Sequence, residues 1–183
     1  PDRSLLQYYA PPFAAAIAAG ALTVMEGYHE LNAEPVAASE RLLRGMLRDR
    51  LGFGGVLVTD WAEIKNLHAY HKVARSDREA VLLAINRTSI DMSMVPIDNS
   101  FPRYLAALVE QGLIPESRVD ESALRVLQLK KTLGLLEPAH PPSPPTPAPN
   151  PAPNPAPSPA ASPAASPAQD ESPDPSPAPS PAA

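Results

Sequence analysis

Hydrophobic residues in the first three quarters of the chain follow two periodicities that alternate along the sequence. Short apolar runs, "ALTVMEGY", "GVLVTD" and "SIDMSMV" (residues 21–28, 55–60 and 89–95), predict buried β-strands. The segments between them place Leu and Met at helical spacing, as in "SERLLRGMLRDRLG" (residues 39–52). Three strands that alternate with helices predict parallel βα units.

Residues that start and stop helices sharpen these boundaries. The first segment, residues 3–21, reads as helical but broken at Pro11 and Pro12, because proline lacks the N–H that a helix interior needs. In the second helix, Ser39 is the predicted N-cap and Gly52 the predicted stop.

A third helix begins at "SDRE", residues 76–79, which forms a capping box in which Ser and Glu each satisfy a free backbone N–H. Two further helices are predicted within residues 99–112 and 115–134. A doubly wound sheet and a (β/α)8 barrel both fit this order of elements, but a complete barrel needs about 250 residues.

Composition changes sharply near residue 137. Of the 26 prolines, 19 lie between Pro138 and Ala183, in a Pro/Ala/Ser repeat without apolar periodicity. We therefore predict a globular domain over residues 1–137 and a disordered, polyproline-like tail over residues 138–183. The tail is expected to be a solvated linker or stalk.

Charge and residue usage narrow the classes of partner. The net charge is -5, and no Lys/Arg cluster interleaves with aromatic residues, so no nucleic-acid partner is predicted. No apolar stretch approaches the roughly 18 residues that cross a bilayer, so no membrane partner is predicted either. The absence of cysteine excludes a Cys-based metal site, and neither a metal nor another cofactor is predicted. Because the chain begins with Pro, we expect a fragment or a processed product.

Polar residues follow the predicted strands at the edge where parallel α/β folds carry function. Asp60 and Trp61 end the second strand, Tyr28 follows the first, and Met94 lies at the end of the third. By itself, Asp60 is better explained as a turn cap, and Trp61 as a core residue, than as parts of a catalytic site. The convergence of three strand ends favours a site.

A long stretch of the chain resembles a known family. Residues 11–61, "PPFAAAIAAGALTVMEGYHELNAEPVAASERLLRGMLRDRLGFGGVLVTDW", are similar to the second half of the barrel domain of family 3 glycoside hydrolases, the β-glucosidase group. The likeness continues through "NLHAYHKVA" and "IDMSMVP" to about residue 138. The resemblance implies the last three βα units of a (β/α)8 barrel.

The resemblance also implies a reaction. Retaining glycosidases use a carboxylate nucleophile and a second carboxyl group, and they pass through a covalent glycosyl-enzyme intermediate. Asp60 matches the family nucleophile, and Tyr28 matches a tyrosine that hydrogen-bonds near it. Trp61 is expected to form an apolar wall against the sugar of a terminal β-glycoside, and Met94 to lie at the rim.

Other polar residues are assigned to structure. His68 and His71 are expected in a loop over the sugar site or exposed to solvent, rather than in a metal site. Glu63 is expected on the surface or in a turn, and Asp91 in a structural role.

The sequence departs from the family pattern at a few positions. Ala33 and Ser89 replace glycines that often have positive φ, so modest backbone strain is expected there. "MEG", residues 25–27, replaces a more typical "MNS" or "MAS", and His29 replaces an asparagine.

The resemblance places the acid/base in a separate domain and several sugar-binding residues on earlier barrel strands. We therefore predict that this chain alone is inactive and that its partners include the missing barrel half and the acid/base domain. The alternatives are a noncatalytic extracellular module, binding carbohydrate or protein on a proline-rich stalk, and a product that does not fold. The tail and the family both lean towards secretion.

Overall fold

A computed structural model describes residues 2–95 and 97–136. Within these residues, three strands form a parallel sheet in the order β1 (Thr23–Met25), β4 (Val56–Trp61) and β5 (Met92–Met94). The three predicted strands and their parallel arrangement are therefore confirmed. A separate antiparallel hairpin, β2 (Glu30–Leu31) and β3 (Glu34–Pro35), was not predicted.

Helices connect the strands of the sheet. The N-terminal helix α1, residues 2–18, is made of an α-helical turn (Asp2–Ser4), a π-helical segment (Leu5–Tyr9) and an α-helix (Ala10–Ala18). The others are the 3-10 turn Val36–Ala38, the π-helical α2 (Arg41–Arg50), α3 (Glu63–Ala69), α4 (Asp77–Arg87), α5 (Ser100–Glu110) and α6 (Glu116–Thr132).

The predicted break at Pro11 and Pro12 is wrong. Both prolines lie in the first turn of Ala10–Ala18, where a backbone N–H has no intrahelical partner to lose. The π-helical segment Leu5–Tyr9 leads into this turn, so helical structure continues through the position where the sequence indicated an interruption.

The predicted helix caps are present. The Ser39 hydroxyl accepts a hydrogen bond from the N–H of Leu42 at 3.3 Å, and the Ser76 hydroxyl accepts one from the N–H of Glu79 at 3.1 Å. The carboxylate of Glu79 accepts from the N–H of Arg75 at 2.7 Å. In the capping box, Glu79 therefore binds the N–H of Arg75 and not that of the cap residue Ser76.

The glycine replacements have different outcomes. Ala33, in the tight hairpin between β2 and β3, has φ +61°, and the expected strain is present. Ser89 is not among the residues with positive φ, so the expectation of strain there is wrong. Instead, its buried hydroxyl donates to the carbonyl of Leu43 at 2.6 Å and accepts from Arg48 Nε at 2.9 Å.

Hydrophobic residues of β4, α2, α3 and α4 form the core beside the sheet. Its fully buried members include Leu57, Ile64, Leu67 and Ile90, joined by Leu108 and Ile114 from the α5 region. Leu57 anchors the centre of β4, and Ile64 and Leu67 hold α3 directly behind the end of that strand. The core therefore fixes the segment that carries Asp60.

An ion network below the sheet ties β5 to two helices. The side chain of Asp91 is fully buried and accepts hydrogen bonds from Arg48 at 2.8 Å and from Arg125 at 2.8 Å. It also accepts from the N–H of Leu57 at 2.9 Å and from Ser122 at 2.8 Å. These contacts are structural, as expected for Asp91.

Three parallel strands do not by themselves make a barrel, so the partial (β/α)8 barrel stays a prediction. The proposed disordered tail and the boundary at residue 137 lie outside the described residues. Within residues 2–95 and 97–136, no helix is long and apolar enough to span a bilayer.

Candidate active site

Asp60 lies near the carboxyl end of β4 and is half-buried. One of its carboxylate oxygens accepts a hydrogen bond from the N–H of Trp61 at 2.7 Å. Its own N–H donates to Oε1 of Glu26 at 3.3 Å. The nucleophile candidate is therefore held by its neighbour in sequence and by a residue that follows the adjacent strand β1.

The end of β4 is irregular. Its register against β5 shifts between Val58 and Trp61, which pairs with Met94. Thr59, fully buried, accepts a hydrogen bond from the N–H of Met94 at 2.9 Å and donates to the carbonyl of Asp60 at 2.7 Å. A side chain thus replaces part of the main-chain ladder, as at the bulges that reorient side chains beside active sites.

The other predicted site residues surround this irregularity. Tyr28 and Trp61 are each 48% exposed, and Met94 is half-buried. The Tyr28 hydroxyl donates to the main-chain carbonyl of Trp61 at 2.7 Å, a partner that the sequence did not indicate, and it also lies near the Asp60 carboxylate. The structure therefore brings Tyr28, Asp60, Trp61 and Met94 together at one edge of the sheet.

The residue after Trp61 is strained. Ala62 has φ +54°, in the left-handed region where a Cβ costs roughly 1 kcal/mol or more. Its N–H donates to the carbonyl of Met94 at 2.8 Å, and its carbonyl accepts from the N–H of Asn66 in α3. This conformation turns the chain from β4 into α3 within one residue, and such strain concentrates at functional sites.

Behind Asp60 lies an acidic residue that sequence reasoning recorded only as a departure from the family pattern. Glu26 is 4% exposed, and its Oε2 has no hydrogen-bond partner among the described residues. Burial, followed by the charges of Glu63 and Asp60, raises the pKa of Glu26 to about 8, although the hydrogen bond from the N–H of Asp60 opposes the shift.

Near this position, a series of charged side chains runs from the buried Glu63 through His71 to the exposed Glu30. Glu63, in α3, is fully buried, and its carboxylate accepts from Asn66 at 2.7 Å and contacts Nε2 of His71 at 2.9 Å. The other ring nitrogen of His71 contacts Glu30 at 2.7 Å. Burial alone would lower the pKa of His71, but the hydrogen bonds to Glu30 and Glu63 outweigh it and raise the pKa.

One expectation from the sequence is wrong and another holds in part. Glu63 is neither on the surface nor in a turn, because α3 begins there and directs the side chain into the interior. Of the two alternatives for His71, solvent exposure is excluded, because its side chain is 1% exposed between two glutamates, but the residue does lie in the loop that follows α3. The residue spacing gave no signal for this series of contacts, because Glu63, His71 and Glu30 come from three different parts of the fold.

Charge also affects the phenol in the site. Partial desolvation and then the nearby charge of Asp60 raise the pKa of Tyr28 above its ordinary value. The phenol therefore keeps its proton at neutral pH and acts as a hydrogen-bond donor. No cluster of three or more potential metal-binding side chains occurs in the described part of the chain.

Comparison with known proteins identifies the class. Residues 1–129 match the family model described as the glycosyl hydrolase family 3 N terminal domain. The chain is 47% identical over 142 residues to the "Lysosomal beta glucosidase" of Dictyostelium discoideum, covering 77% of this chain and 17% of that protein. It is 34% identical over 134 residues to the "Periplasmic beta-glucosidase" of Salmonella typhimurium, again covering 17% of the relative.

Solved structures agree with this match. The β-glucosidase from Listeria innocua in complex with glucose superposes with a TM-score of 0.70 at 34% identity, over 75% of this chain and 18% of that one. The described parallel α/β unit thus has the fold of the matched part of a β-glucosidase. The chain belongs to glycosyl hydrolase family 3, whose relatives here are mainly β-glucosidases and β-xylosidases.

Proposed function

We propose that this chain is the nucleophile-bearing part of a retaining β-glycosidase, in which Asp60 attacks the anomeric carbon and forms a covalent glycosyl-enzyme intermediate. The observation that carries the proposal is the position of Asp60, half-buried at the carboxyl end of a parallel strand and beside two exposed aromatic residues. A partly accessible carboxylate beside apolar rings suits a sugar that presents both hydroxyl groups and C–H faces.

The surrounding residues have complementary roles in this proposal. Trp61 forms an apolar wall against the sugar, and Met94 forms the rim. Tyr28 donates to the carbonyl of Trp61, so it fixes the segment that carries Asp60, and its phenol also interacts with the Asp60 carboxylate. Fixing a nucleophile in line with its target lowers the entropic part of the barrier.

Hydrolysis with retention of the anomeric configuration also needs a second carboxyl group, about 5 Å from the nucleophile across the glycosidic bond. The acids that the structure brings close to Asp60, Glu26 and Glu63, are both buried and are hydrogen-bonded to the backbone or to other side chains. They are unsuited to protonate a leaving group in solvent. The acid/base in this proposal therefore belongs to a partner domain, and this chain alone is inactive.

The proposal includes the architecture. The three strands β1, β4 and β5 correspond to adjacent strands of a (β/α)8 barrel, each followed by helical structure. The partners of the chain would be the remaining barrel strands and the acid/base domain, and the substrate a terminal β-glycoside. The chain spans 17–18% of the relatives named above, so their whole activity comes to it only within this proposal.

A transplant tests the nucleophile. Residues 5–136 would replace the corresponding segment of the Listeria innocua β-glucosidase, and release of nitrophenol from an aryl β-glucoside would be measured. We expect turnover by the chimera and a loss of at least about a thousandfold on Asp60→Asn, because the step that forms the intermediate is removed.

The matched control is Asp49→Asn, an exposed Asp in α2, which should leave turnover unchanged. A folded chimera without activity, or one whose turnover survives Asp60→Asn, would contradict the proposal. The isolated chain, assayed in parallel, should release no nitrophenol above its own Asp60→Asn variant.

A further inference from the structure

Glu26 is a buried titratable group that contacts the backbone of Asp60 directly and that the proposed mechanism leaves without a role. It follows β1 directly, and its side chain reaches across to β4, where Oε1 accepts the N–H of Asp60 at 3.3 Å. Its main-chain N–H donates to the carbonyl of Val58 at 3.0 Å. Glu26 therefore contacts β4 on both sides of Thr59, at the position where the strand departs from regular register.

The surroundings of Glu26 do not suit a carboxylate anion. Its Oε2 is buried without a hydrogen-bond partner, and no ion pair in the described part of the chain includes Glu26. The groups that face it are Asp60 on β4, Glu63 on α3 and Tyr28 in the following loop. An unpaired buried charge beside two acidic residues is costly, whereas a neutral carboxyl group still accepts a hydrogen bond.

We propose that Glu26 is a positioning residue for the nucleophile: its carboxyl group stays protonated and holds the main-chain N–H of Asp60, which keeps Asp60 and Trp61 oriented at the end of β4. The identity of Asp60 as the nucleophile rests on the proposed function. The hydrogen bond and the burial of Glu26 exist independently of it.

Ionisation of Glu26 would disturb this arrangement in a defined way. A second negative charge next to Asp60 would repel its carboxylate, and the charge of Glu63 would repel Glu26 from the side of α3. His71 cannot neutralise Glu26 as well as Glu63, because its two ring nitrogens already contact Glu63 and Glu30. The segment Asp60–Trp61 would therefore shift when Glu26 loses its proton, and the raised pKa of Glu26 places this event near pH 8.

Trp61 is the only tryptophan of the chain and is adjacent to Asp60, so its fluorescence reports on this segment without any need for catalysis. Emission of the full chain would be recorded from about pH 6 to about pH 9.5, below the ionisation range of Tyr28. We expect one reversible transition with a midpoint near pH 8. Glu26→Gln, a neutral mimic of the protonated acid, should abolish it and keep the emission of the low-pH form.

Two further variants separate the causes. His71→Gln should retain the transition, because the titrating proton belongs to Glu26, and Glu110→Gln, an exposed glutamate at the end of α5, should resemble the original chain. A transition that persists in Glu26→Gln, or that disappears only in His71→Gln, would overturn the proposal.

A measurement on the unchanged chain guards against variants that fail to fold. In a sample labelled with ¹³C at glutamate carboxyl groups, one resonance should titrate near pH 8, well separated from ordinary glutamates near 4.5. The absence of such a resonance would overturn the proposal. Neither experiment depends on glycosidase activity, so their failure is distinguishable from failure of the transplanted nucleophile.

Discussion

Asp91→Asn removes the negative charge at the centre of the network that joins β5 to α2 and α6, while it keeps the shape of the side chain. In the structure, Asp91 is fully buried between Arg48 and Arg125, whose side chains are 10% and 18% exposed. The substitution would leave the largely buried guanidinium group of Arg48 without its counter-ion, and Arg125 with only the partly exposed Glu121. Breaking a buried pair in this way typically costs about 3–5 kcal/mol.

Such a loss is large against the total stability of a domain, which is about 5–15 kcal/mol. With a urea dependence of about 2 kcal/mol per molar, the unfolding midpoint should fall by about 2 M. Circular dichroism at increasing urea concentration measures this directly. Both chains must share the same slope for the comparison to report stability alone.

Asp98→Asn provides the matched control. Asp98 pairs with Lys65 at 2.9 Å, but both side chains are about one third exposed, and an exposed pair contributes about 0–1 kcal/mol. Asparagine also keeps the oxygen that accepts from the N–H of Ser100. If both variants lowered the midpoint equally, or if Asp91→Asn lowered it by less than about 0.5 M, the assignment of the network to stability would be refuted.

Three further perturbations follow from single features. Folding raises the pKa of Glu26 from 4.5 to about 8, so the folded state binds an extra proton between these two pH values. Stability therefore falls as pH rises through this range, by about 5 kcal/mol at about 1.4 kcal/mol per pH unit. Urea melts across the range should show the fall, and Glu26→Gln should remove it. Ala33→Gly should raise the free energy of unfolding by about 0.5–1 kcal/mol, because glycine adopts positive φ without strain. Ala106→Gly, at an exposed position inside α5, should lower it by about 1 kcal/mol. Thermal melts in which both variants change stability in the same direction would contradict this. Ser76→Ala should cost about 1 kcal/mol through loss of the N-cap of α4, and an equal loss on Ser117→Ala, inside α6, would refute the capping account.

The predicted helix boundaries show where local reasoning succeeds. Ser76 and Ser39 cap helices as predicted, because capping depends on residues three positions apart in the chain. Pro11 and Pro12 mislead because their effect depends on which turn of the helix they occupy. The irregular π-helical segment before them has no simple sequence signature.

The candidate site was predicted in part. Asp60, Trp61, Tyr28 and Met94 were placed at strand ends from the order of strands and the family resemblance, and they lie together at one edge of the sheet. Their positions follow from parallel pairing, which brings the carboxyl ends of β1, β4 and β5 side by side. The detailed partner of the Tyr28 hydroxyl required the coordinates, since a rotation of one bond decides between a carboxylate and a carbonyl.

The spacing of apolar residues is enough to predict the alternation of strands and helices, the parallel sheet and a strand that ends near Asp60, because each of these follows from short stretches of the chain. The burial of Glu26 against Asp60, and of Glu63 against His71, comes from tertiary packing alone. Glu26 and Asp60 are 34 residues apart and meet through the pairing of β1 with β4. Burial depends on what long-range packing places around a side chain, and that packing also decides where a proton is held.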